Sequence, residues 1–107
     1  MDDFVKLNGE DIDAFCVEID LMSNFFKMLA DNTRLKILLF LGDEEVCVND
    51  IAQGIHMTKS AVSHQLALLR SARLIKNRKV GKEVYYSLSD NHVKVLISAA
   101  FEHVNEK

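Results

Sequence analysis

Apolar residues recur at helical spacing in the N-terminal part of this chain. The first group comprises Ile12, Phe15, Cys16 and Ile19. These positions lie three or four residues apart, which is typical of one face of an amphipathic helix. The pattern continues or restarts up to Leu29. We therefore predict one long helix or two consecutive helices, with Cys16 on the apolar stripe.

The segment ADNTRLKILLFLGDEE predicts a second helix with clear ends. Asp31 is the candidate N-cap, because an aspartate side chain can accept hydrogen bonds from the free N–H groups of a first turn. Gly42 is the candidate stop at the other end. The expected core face contains Leu35, Leu38, Leu39 and Leu41.

Two helices separated by a tight turn are predicted over residues 50–72. Asp50 opens the short first helix, and Thr58 can cap the longer second one. His56 occupies the turn, and histidine tolerates a left-handed backbone better than most residues. The buried face of the second helix should contain Val62, Leu66 and Leu69. This order is the helix-turn-helix pattern, in which the second helix enters the major groove of DNA.

Residues 74–88 have the residue types of β-strands. Val84, Tyr85 and Tyr86 favour strands, and Gly81 marks a turn between Lys79 and Lys82. We therefore predict a β-hairpin with a basic tip.

The helical period returns over residues 90–105, with Ser89 or Asp90 as the cap. Its apolar face contains Val93, Leu96, Ile97, Ala100, Phe101 and Val104. The fold class predicted from this order is mainly α with a small β-hairpin. It is a winged helix-turn-helix, and the chain of residues 1–107 has the length of a single domain.

The composition, 49% hydrophobic and 27% charged residues, is that of an ordinary globular protein. The longest apolar runs are too short to cross a bilayer, and the acidic start lacks the features of a signal peptide. We therefore expect a cytoplasmic protein with no membrane partner. Cys16 and Cys47 do not form a disulfide framework and should be thiols, either buried or able to bind a soft metal.

Charge is distributed unevenly along the chain. The formal net charge is −3, yet residues 51–88 carry seven basic residues and the single acid Glu83. A basic block within an acidic chain is typical of a nucleic-acid surface, although a solvated basic face is the simpler alternative. Together with the helix-turn-helix pattern, it predicts double-stranded DNA as a partner.

The predicted DNA contacts come from two elements. On the recognition helix they are Thr58, Lys59, Ser60, Ser63, His64 and Gln65; on the hairpin they are Arg78, Lys79 and Lys82. Gln65 could pair with adenine through both atoms of its amide group. The hairpin residues would lie along the DNA backbone.

Four side chains of the types that bind metals, Asp90, His92, His103 and Glu106, lie near the two ends of the predicted C-terminal helix. His92 and His103 share one helix face, but eleven residues separate them by about 16 Å, too far for one ion. If two copies of this helix pack antiparallel, the register that brings His92 to His103 also brings Asp90 to Glu106. Two symmetric sites would result, each with the four nitrogen and oxygen ligands that Zn(II) favours. Co(II) and Ni(II) also suit these donors.

The sequence resembles the ArsR/SmtB family of metal-sensing transcriptional repressors from about Met22 onward. The resemblance is carried by the segments LADNTRLKIL, VCVNDIA, KSAVSHQLALLR, GKEVYYSLSD and DNHVKVLISAAFEHVNE. The last segment matches the D-x-H-x10-H-x2-E/H pattern of zinc sensors at Asp90, His92, His103 and Glu106. The resemblance implies a winged-helix homodimer with N- and C-terminal helices at its interface. It further implies an operator-bound apo form that is released by zinc, derepressing metal efflux or sequestration genes.

Three alternatives remain beside this interpretation. The family's thiolate site needs a C-x-C motif, but here Asn49 stands where the second cysteine of that motif would be. A secondary metal site of Cys16, Cys47 and Asp50 would therefore be only partial. A sensor of soft metals or arsenite through the two thiols is one alternative. A metal-independent dimeric DNA-binding protein is the second. A zinc hydrolase is disfavoured, because four ligands leave no open position for water or a small-molecule substrate.

Overall fold

The computed structural model describes residues 5–106, so residues 1–4 and 107 of the predicted domain lie outside the described residues. The chain forms a mainly helical fold with a small antiparallel sheet, which confirms the predicted fold class. In chain order the elements are α1 (Gly9–Ala14), α2 (Cys16–Leu29), α3 (Asn32–Leu41), β1 (Val46–Cys47), α4 (Val48–Gly54), α5 (Lys59–Ser71), β2 (Ile75–Val80), β3 (Glu83–Leu88) and α6 (Asn91–Val104).

The N-terminal apolar stripe forms two helices rather than one. A capping box formed by Asn8 and Asp11 opens α1, and the chain restarts as α2 after a non-helical Phe15. The expectation that Cys16 is buried is wrong for the chain as described, because this residue is exposed. Cys47 is partly buried. The apolar face of α2 is instead largely open to solvent.

Helix α3 begins and ends where the sequence predicts. The Asp31 carboxylate accepts a hydrogen bond from the backbone N–H of Arg34 at 3.0 Å, and Gly42 ends the helix with a φ of 53°. The predicted core position Leu39 is wrong, since this side chain is 44% exposed. Ile37 is fully buried instead, together with Leu38 and Leu41, because positions 37, 38 and 41 form one face and position 39 points about 100° away from Leu38.

The helix-turn-helix consists of α4 and α5. Helix α4 begins at Val48, two residues before the predicted start, so Asp50 lies within its first turn. Thr58 caps α5 as predicted, and its hydroxyl accepts a hydrogen bond from the N–H of Ala61 at 3.1 Å. In the turn, His56 adopts the predicted left-handed conformation with a φ of 60°. The predicted buried positions Val62, Leu66 and Leu69 are all fully buried.

The sheet has the strand order β1-β3-β2 and is antiparallel throughout. The predicted hairpin forms between β2 and β3, with Gly81 at a φ of 62° in the turn. Arg78 pairs with Tyr85, which in turn pairs with Cys47 of β1 on its other side. The sequence does not predict strand β1, because two residues are too short for a recognisable alternation.

The core is one cluster that joins α3, α4, α5 and the sheet to one face of α6. Asp90, rather than Ser89, caps α6 by accepting a hydrogen bond from the N–H of Val93 at 3.1 Å. The N–H of Ser89 donates to the carbonyl oxygen of Leu74 at 3.1 Å, which ties the start of α6 to the residues that follow α5. Among residues 5–106, no helix is long and apolar enough to span a membrane.

Candidate nucleic-acid interface and metal ligands

The first two turns of α5 present a polar face to solvent. Lys59, Ser60, Ser63 and His64 are exposed, as the sequence predicts for a reading surface. The opposite side of the same turns is fixed by the buried Val62 and by the other core positions of the helix. Thr58 is also exposed, but its hydroxyl already serves the helix cap. The result is a polar surface on a rigidly seated helix, which suits insertion into a groove.

Gln65 differs from the other predicted contacts. Its side chain is half-buried, and its Oε1 accepts a hydrogen bond from Nη1 of Arg34 at 3.3 Å. The guanidinium of Arg34 also donates through Nε to the carbonyl oxygen of Met28 at 2.7 Å. Sequence reasoning missed this contact, because 31 residues separate Arg34 from Gln65 and no local pattern links them.

The basic side chains of the hairpin differ in whether they form an ion pair within the chain. Lys79 and Lys82 are exposed beside the turn at Gly81. Arg78, by contrast, forms a two-pronged ion pair with Glu45, with both N···O distances at 2.8 Å. The charge of Arg78 is thus partly neutralised within the chain, whereas Lys79 and Lys82 form no ion pair among the described residues.

The ion pair shifts the ionisation of both partners. Hydrogen bonding to Arg78 holds the pKa of Glu45 below its ordinary value, and Glu45 in turn raises the pKa of Arg78. Because both groups are exposed to solvent, this pair contributes little to folding stability. Its main consequence is that Arg78 has an acidic partner that competes with phosphate.

The four predicted metal ligands lie at opposite ends of α6. At the start of the helix, Nδ1 of His92 stands 3.8 Å from Oδ1 of Asp90, and the His92 side chain is 97% exposed. At the other end, His103 is in the last turn and Glu106 follows the helix, with its N–H donating to the His103 carbonyl oxygen at 3.2 Å. Within residues 5–106 no three His, Cys, Asp or Glu side chains gather into one cluster. One chain therefore carries the four candidate ligands as two separate pairs.

The pair at the start of α6 fits a tetrahedral metal. Two donors at about 2.0–2.1 Å from one zinc ion are roughly 3.4 Å apart, close to the spacing of the Asp90 and His92 atoms. The Asp90 atom in this spacing is Oδ1, which also accepts the helix-cap hydrogen bond from the N–H of Val93, so a metal held by Oδ1 would share that atom with the cap. The described residues donate no hydrogen bond to Oδ2. The secondary set of Cys16, Cys47 and Asp50 is not assembled within one described chain.

A polar-faced helix on a buried apolar underside, with a short helix before it and a basic hairpin after it, defines a winged helix-turn-helix DNA-binding protein. Residues 31–77 match the family model described as bacterial regulatory protein, arsR family. Over 85 residues the chain is 49% identical to the transcriptional repressor SmtB homolog of Synechocystis sp., covering 79% of this chain and 64% of that protein. The chain belongs to the arsR family of bacterial regulatory proteins.

A second relative and two solved structures support the same assignment. The cadmium resistance transcriptional regulatory protein CadC homolog of Staphylococcus aureus is 46% identical over 86 residues, which cover 79% of this chain and 71% of that protein. The homodimeric winged helix-turn-helix domain of Mb0332 from Mycobacterium bovis has a TM-score of 0.80 at 25% identity, covering 96% of this chain and 92% of its own. The transcriptional regulator HlyU of Vibrio vulnificus has a TM-score of 0.75 at 29% identity, with 90% and 97% covered. The CadC homolog and HlyU are named as transcriptional regulators, and Mb0332 is named as a DNA-binding domain.

Proposed function

We propose that this protein is a dimeric, zinc-responsive transcriptional repressor of the bacterial cytoplasm. The metal-free dimer binds operator DNA, and zinc bound between the subunits lowers its affinity for DNA, so that metal efflux or sequestration genes are expressed. The observation that carries the proposal is the pair of incomplete ligand sets at the two ends of α6, each exposed and each lacking two donors. The 49% identity to a protein named as an SmtB homolog supports the same function.

On the DNA side, the exposed polar face of α5 would contact base edges and phosphates, and the hairpin would follow the backbone. The contacts that we propose are Thr58, Lys59, Ser60, Ser63, His64, Gln65, Arg78, Lys79 and Lys82. A single reading helix makes few contacts, so a dimer that reads two half-sites about one helical turn apart is needed for specific binding.

On the metal side, Asp90 and His92 of one subunit would hold the ion together with the equivalents of His103 and Glu106 from the second copy. Two copies of α6 must run antiparallel to bring these ends together. The exposed apolar residues of α6, among them Phe101 at 53% and Val104 at 77% exposure, would then be covered by the partner helix. Zinc would supply a cross-link between subunits that depends on the relative position of the two helices.

Two backbone hydrogen bonds between the start of α6 and the end of the reading helix support a coupling between the proposed metal site and DNA binding. Asp90 is adjacent to Ser89, whose N–H donates to the carbonyl oxygen of Leu74 at 3.1 Å. The N–H of Leu74 in turn donates to the carbonyl oxygen of Leu69 in α5 at 3.0 Å. A shift of α6 against its partner would therefore move α5, and the spacing of the two reading helices would change. The coupling is reciprocal, so operator DNA must weaken zinc binding by the same factor.

The test is a zinc titration of operator affinity at fixed salt, with wild type, His103→Ala and Glu102→Ala. Glu102 is the matched control, since it is an exposed acid on the same helix that is not in the proposed ligand set. We expect zinc to weaken DNA binding about 5–150-fold in wild type and Glu102→Ala, and to have no effect in His103→Ala. An unchanged affinity in wild type, or an equal change in all three proteins, would contradict the proposal.

A thiol-based response to soft metals is a second candidate, favoured by the 46% identity to a relative named for cadmium resistance. Cys16 is exposed and Cys47 is partly exposed, so both thiols are accessible in the chain as described. The same titration with Cd(II) on Cys47→Ser decides between the candidates. A Cys47→Ser protein that still responds fully to zinc would rule out the thiols as the zinc sensor. Loss of the cadmium response alone in this variant would assign Cys47 to a separate soft-metal site, for which Cys16 and Asp50 are the proposed further ligands.

A further inference from the structure

A side chain outside the predicted DNA surface contacts the reading helix directly. Arg34 lies in the first turn of α3, and its guanidinium spans two other elements. Nε donates to the carbonyl oxygen of Met28 at 2.7 Å, and Nη1 donates to Oε1 of Gln65 at 3.3 Å. The Met28 carbonyl belongs to the last turn of α2, where carbonyl groups lack partners within the helix and favour a cation. One half-buried arginine thus joins the end of α2, the start of α3 and the face of α5.

This contact fixes which end of the Gln65 amide group is available. A guanidinium has only hydrogen-bond donors, so the Gln65 atom that faces it must be the carbonyl oxygen. The amide nitrogen, which carries two donors, is then directed away from Arg34. A free glutamine can pair with adenine by donating to N7 and accepting from N6 at the same time. The Gln65 oxygen keeps a second lone pair, but the hydrogen bond from Arg34 fixes the rotation of the amide group, so this oxygen is not free to turn toward adenine N6.

We propose that Arg34 is a positioning residue for DNA specificity, which turns the Gln65 amide group so that its NH₂ group, rather than its oxygen, is available to DNA. In this state Gln65 selects acceptor groups of the major groove, such as purine N7, guanine O6 or thymine O4, and it does not require adenine. The inference rests on the proposed role of α5 as the reading helix, but it does not depend on zinc.

The electrostatic setting of Arg34 supports this role. Among the described residues no carboxylate forms an ion pair with its guanidinium, whereas Arg78 is paired with Glu45. Asp31 interacts with the backbone N–H of Arg34 and not with its side chain. The charge of Arg34 is therefore not neutralised within the described chain, and it adds to the positive potential beside the reading helix. A neutral hydrogen-bonding residue at this position would hold Gln65 without that charge.

The experiment is selection of bound duplexes from a library with a randomised central segment, using the full chain without metal. The variants are Arg34→Met, which removes all donors but keeps the length, and Gln65→Glu, which keeps a partner for Arg34 but removes the donors toward DNA. Lys36→Met is the matched control, because Lys36 is an exposed cation on α3 that points about 200° away from Arg34. Circular dichroism and thermal unfolding establish that each variant is folded.

We expect wild type and Lys36→Met to enrich the same symmetric motif. Arg34→Met should shift or relax the base preference at one position in each half-site toward adenine, and its affinity for the wild-type motif should fall about tenfold. Gln65→Glu should lower the affinity for the wild-type motif by a similar factor, because it loses contacts at the same position of each half-site. Its thermal stability should equal that of the wild type.

The outcomes separate this inference from the proposed function. If wild type enriches no motif, the reading role of α5 fails. If wild type enriches a motif and Arg34→Met binds and selects as Lys36→Met does, the positioning role is wrong. Should Arg34→Met fail to fold, Gln65→Glu decides alone, since an unchanged motif and affinity in that variant would also overturn the inference.

Discussion

Two regions of this chain carry similar apolar patterns but bury them differently. The reading head, which we define as residues 32–88, encloses most of its apolar side chains, and Leu38, Leu66 and Leu69 are fully buried, although Leu39, Phe40 and Val80 are exposed. The terminal helices α1, α2 and α6 leave many of theirs open, with Leu21 at 63% and Val104 at 77% exposure. Large exposed apolar faces on a folded chain mark interaction surfaces. The difference indicates that the reading head packs mainly within one chain, whereas the terminal helices leave an apolar surface that the proposed dimer would cover.

An apolar groove shows where the two regions meet. Leu35 and Leu39 of α3 and Phe101 and Val104 of α6 line a groove of about 180 Å³ whose lining residues are all apolar. Mb0332, whose TM-score is 0.80, is itself homodimeric. Under the proposed function, a second copy of this chain covers the corresponding face.

The largest effect is expected from Leu66→Ala in the reading head. Truncation of this fully buried side chain leaves a cavity and should lower the free energy of unfolding by about 2–5 kcal/mol. Leu21→Ala makes the same chemical change on α2 and should cost less than about 1 kcal/mol when the protein is dilute enough to be monomeric. Urea unfolding of both variants at low and high protein concentration measures the difference. Equal losses in dilute solution would remove the contrast between the two regions.

The next effect concerns association through the terminal helices. Val104→Asp places a charge on the face that we assign to the dimer, and it should raise the dimer dissociation constant about a hundredfold. Val5→Asp is the control, because Val5 is 78% exposed and precedes α1. Sedimentation equilibrium gives both dissociation constants. A dimer that tolerates Val104→Asp as well as Val5→Asp would show that α6 does not form the interface.

A smaller effect is expected from the close packing of α3 on α4. A Cβ atom on Gly54 would come within 2.2 Å of the Phe40 ring, so Gly54→Ala must displace that ring. Because Phe40 is 40% exposed and can move outward, the loss should be about 1–2 kcal/mol. Gly9→Ala in α1, where the added atom meets nothing within 4 Å, should be neutral or slightly stabilising. Thermal unfolding distinguishes the two, and a neutral Gly54→Ala would mean that the reading head is less tightly packed than described.

The smallest effect is expected at the hairpin. Glu45→Gln removes the partner of Arg78, so operator affinity should rise about threefold and its salt dependence should steepen by about one phosphate contact. Glu44→Gln makes the same charge change at an exposed neighbour for which the described residues show no ion pair, and it should have less effect. Fluorescence anisotropy over a series of salt concentrations measures both. Equal increases in operator affinity would mean that the net charge of the protein, and not the ion pair with Arg78, determines the effect.

The pH dependence of the wild type provides a further check on this pair. Because the pKa of Glu45 is lowered in the folded chain, its interaction with Arg78 is fully present above the ordinary glutamate value and is lost as the pH falls through the lowered one. Arg78 remains charged throughout. The wild type should therefore approach the DNA affinity of Glu45→Gln only in acid.

Local features of the fold could be predicted from sequence. The caps at Asp31, Thr58 and Asp90 and the left-handed turn at His56 depend on residues within a few positions of one another, and the structure has them all. The prediction fails at Leu39 because a strongly apolar helix does not show by its period which face is covered. The contacts of Arg34 with Gln65 and of Arg78 with Glu45 join residues more than thirty positions apart, and charge alone does not pair them.

The candidate metal ligands also depend on contacts that the sequence does not predict, in this case contacts between two subunits. The sequence predicts which side chains can act as donors, and the structure places Asp90 and His92 together at one end of α6. The other half of each site would come from a different molecule, so no arrangement within one chain completes it. The assembly therefore decides whether these residues bind a metal, and the proposed titration tests the assembly and the ligands together.

The carboxylate of Asp90 has a consequence for how this regulator can diverge. One of its oxygen atoms holds the first turn of α6, and under the proposed function the carboxylate also binds the effector. Asparagine caps a helix as well as aspartate but lacks the negative charge. Descendants that acquire the substitution Asp90→Asn would keep a stable C-terminal helix while losing sensitivity to the ion, and alanine at the same position would weaken both. Inheritance of the fold and loss of the response can therefore be separated by the exchange of one oxygen atom for an NH₂ group.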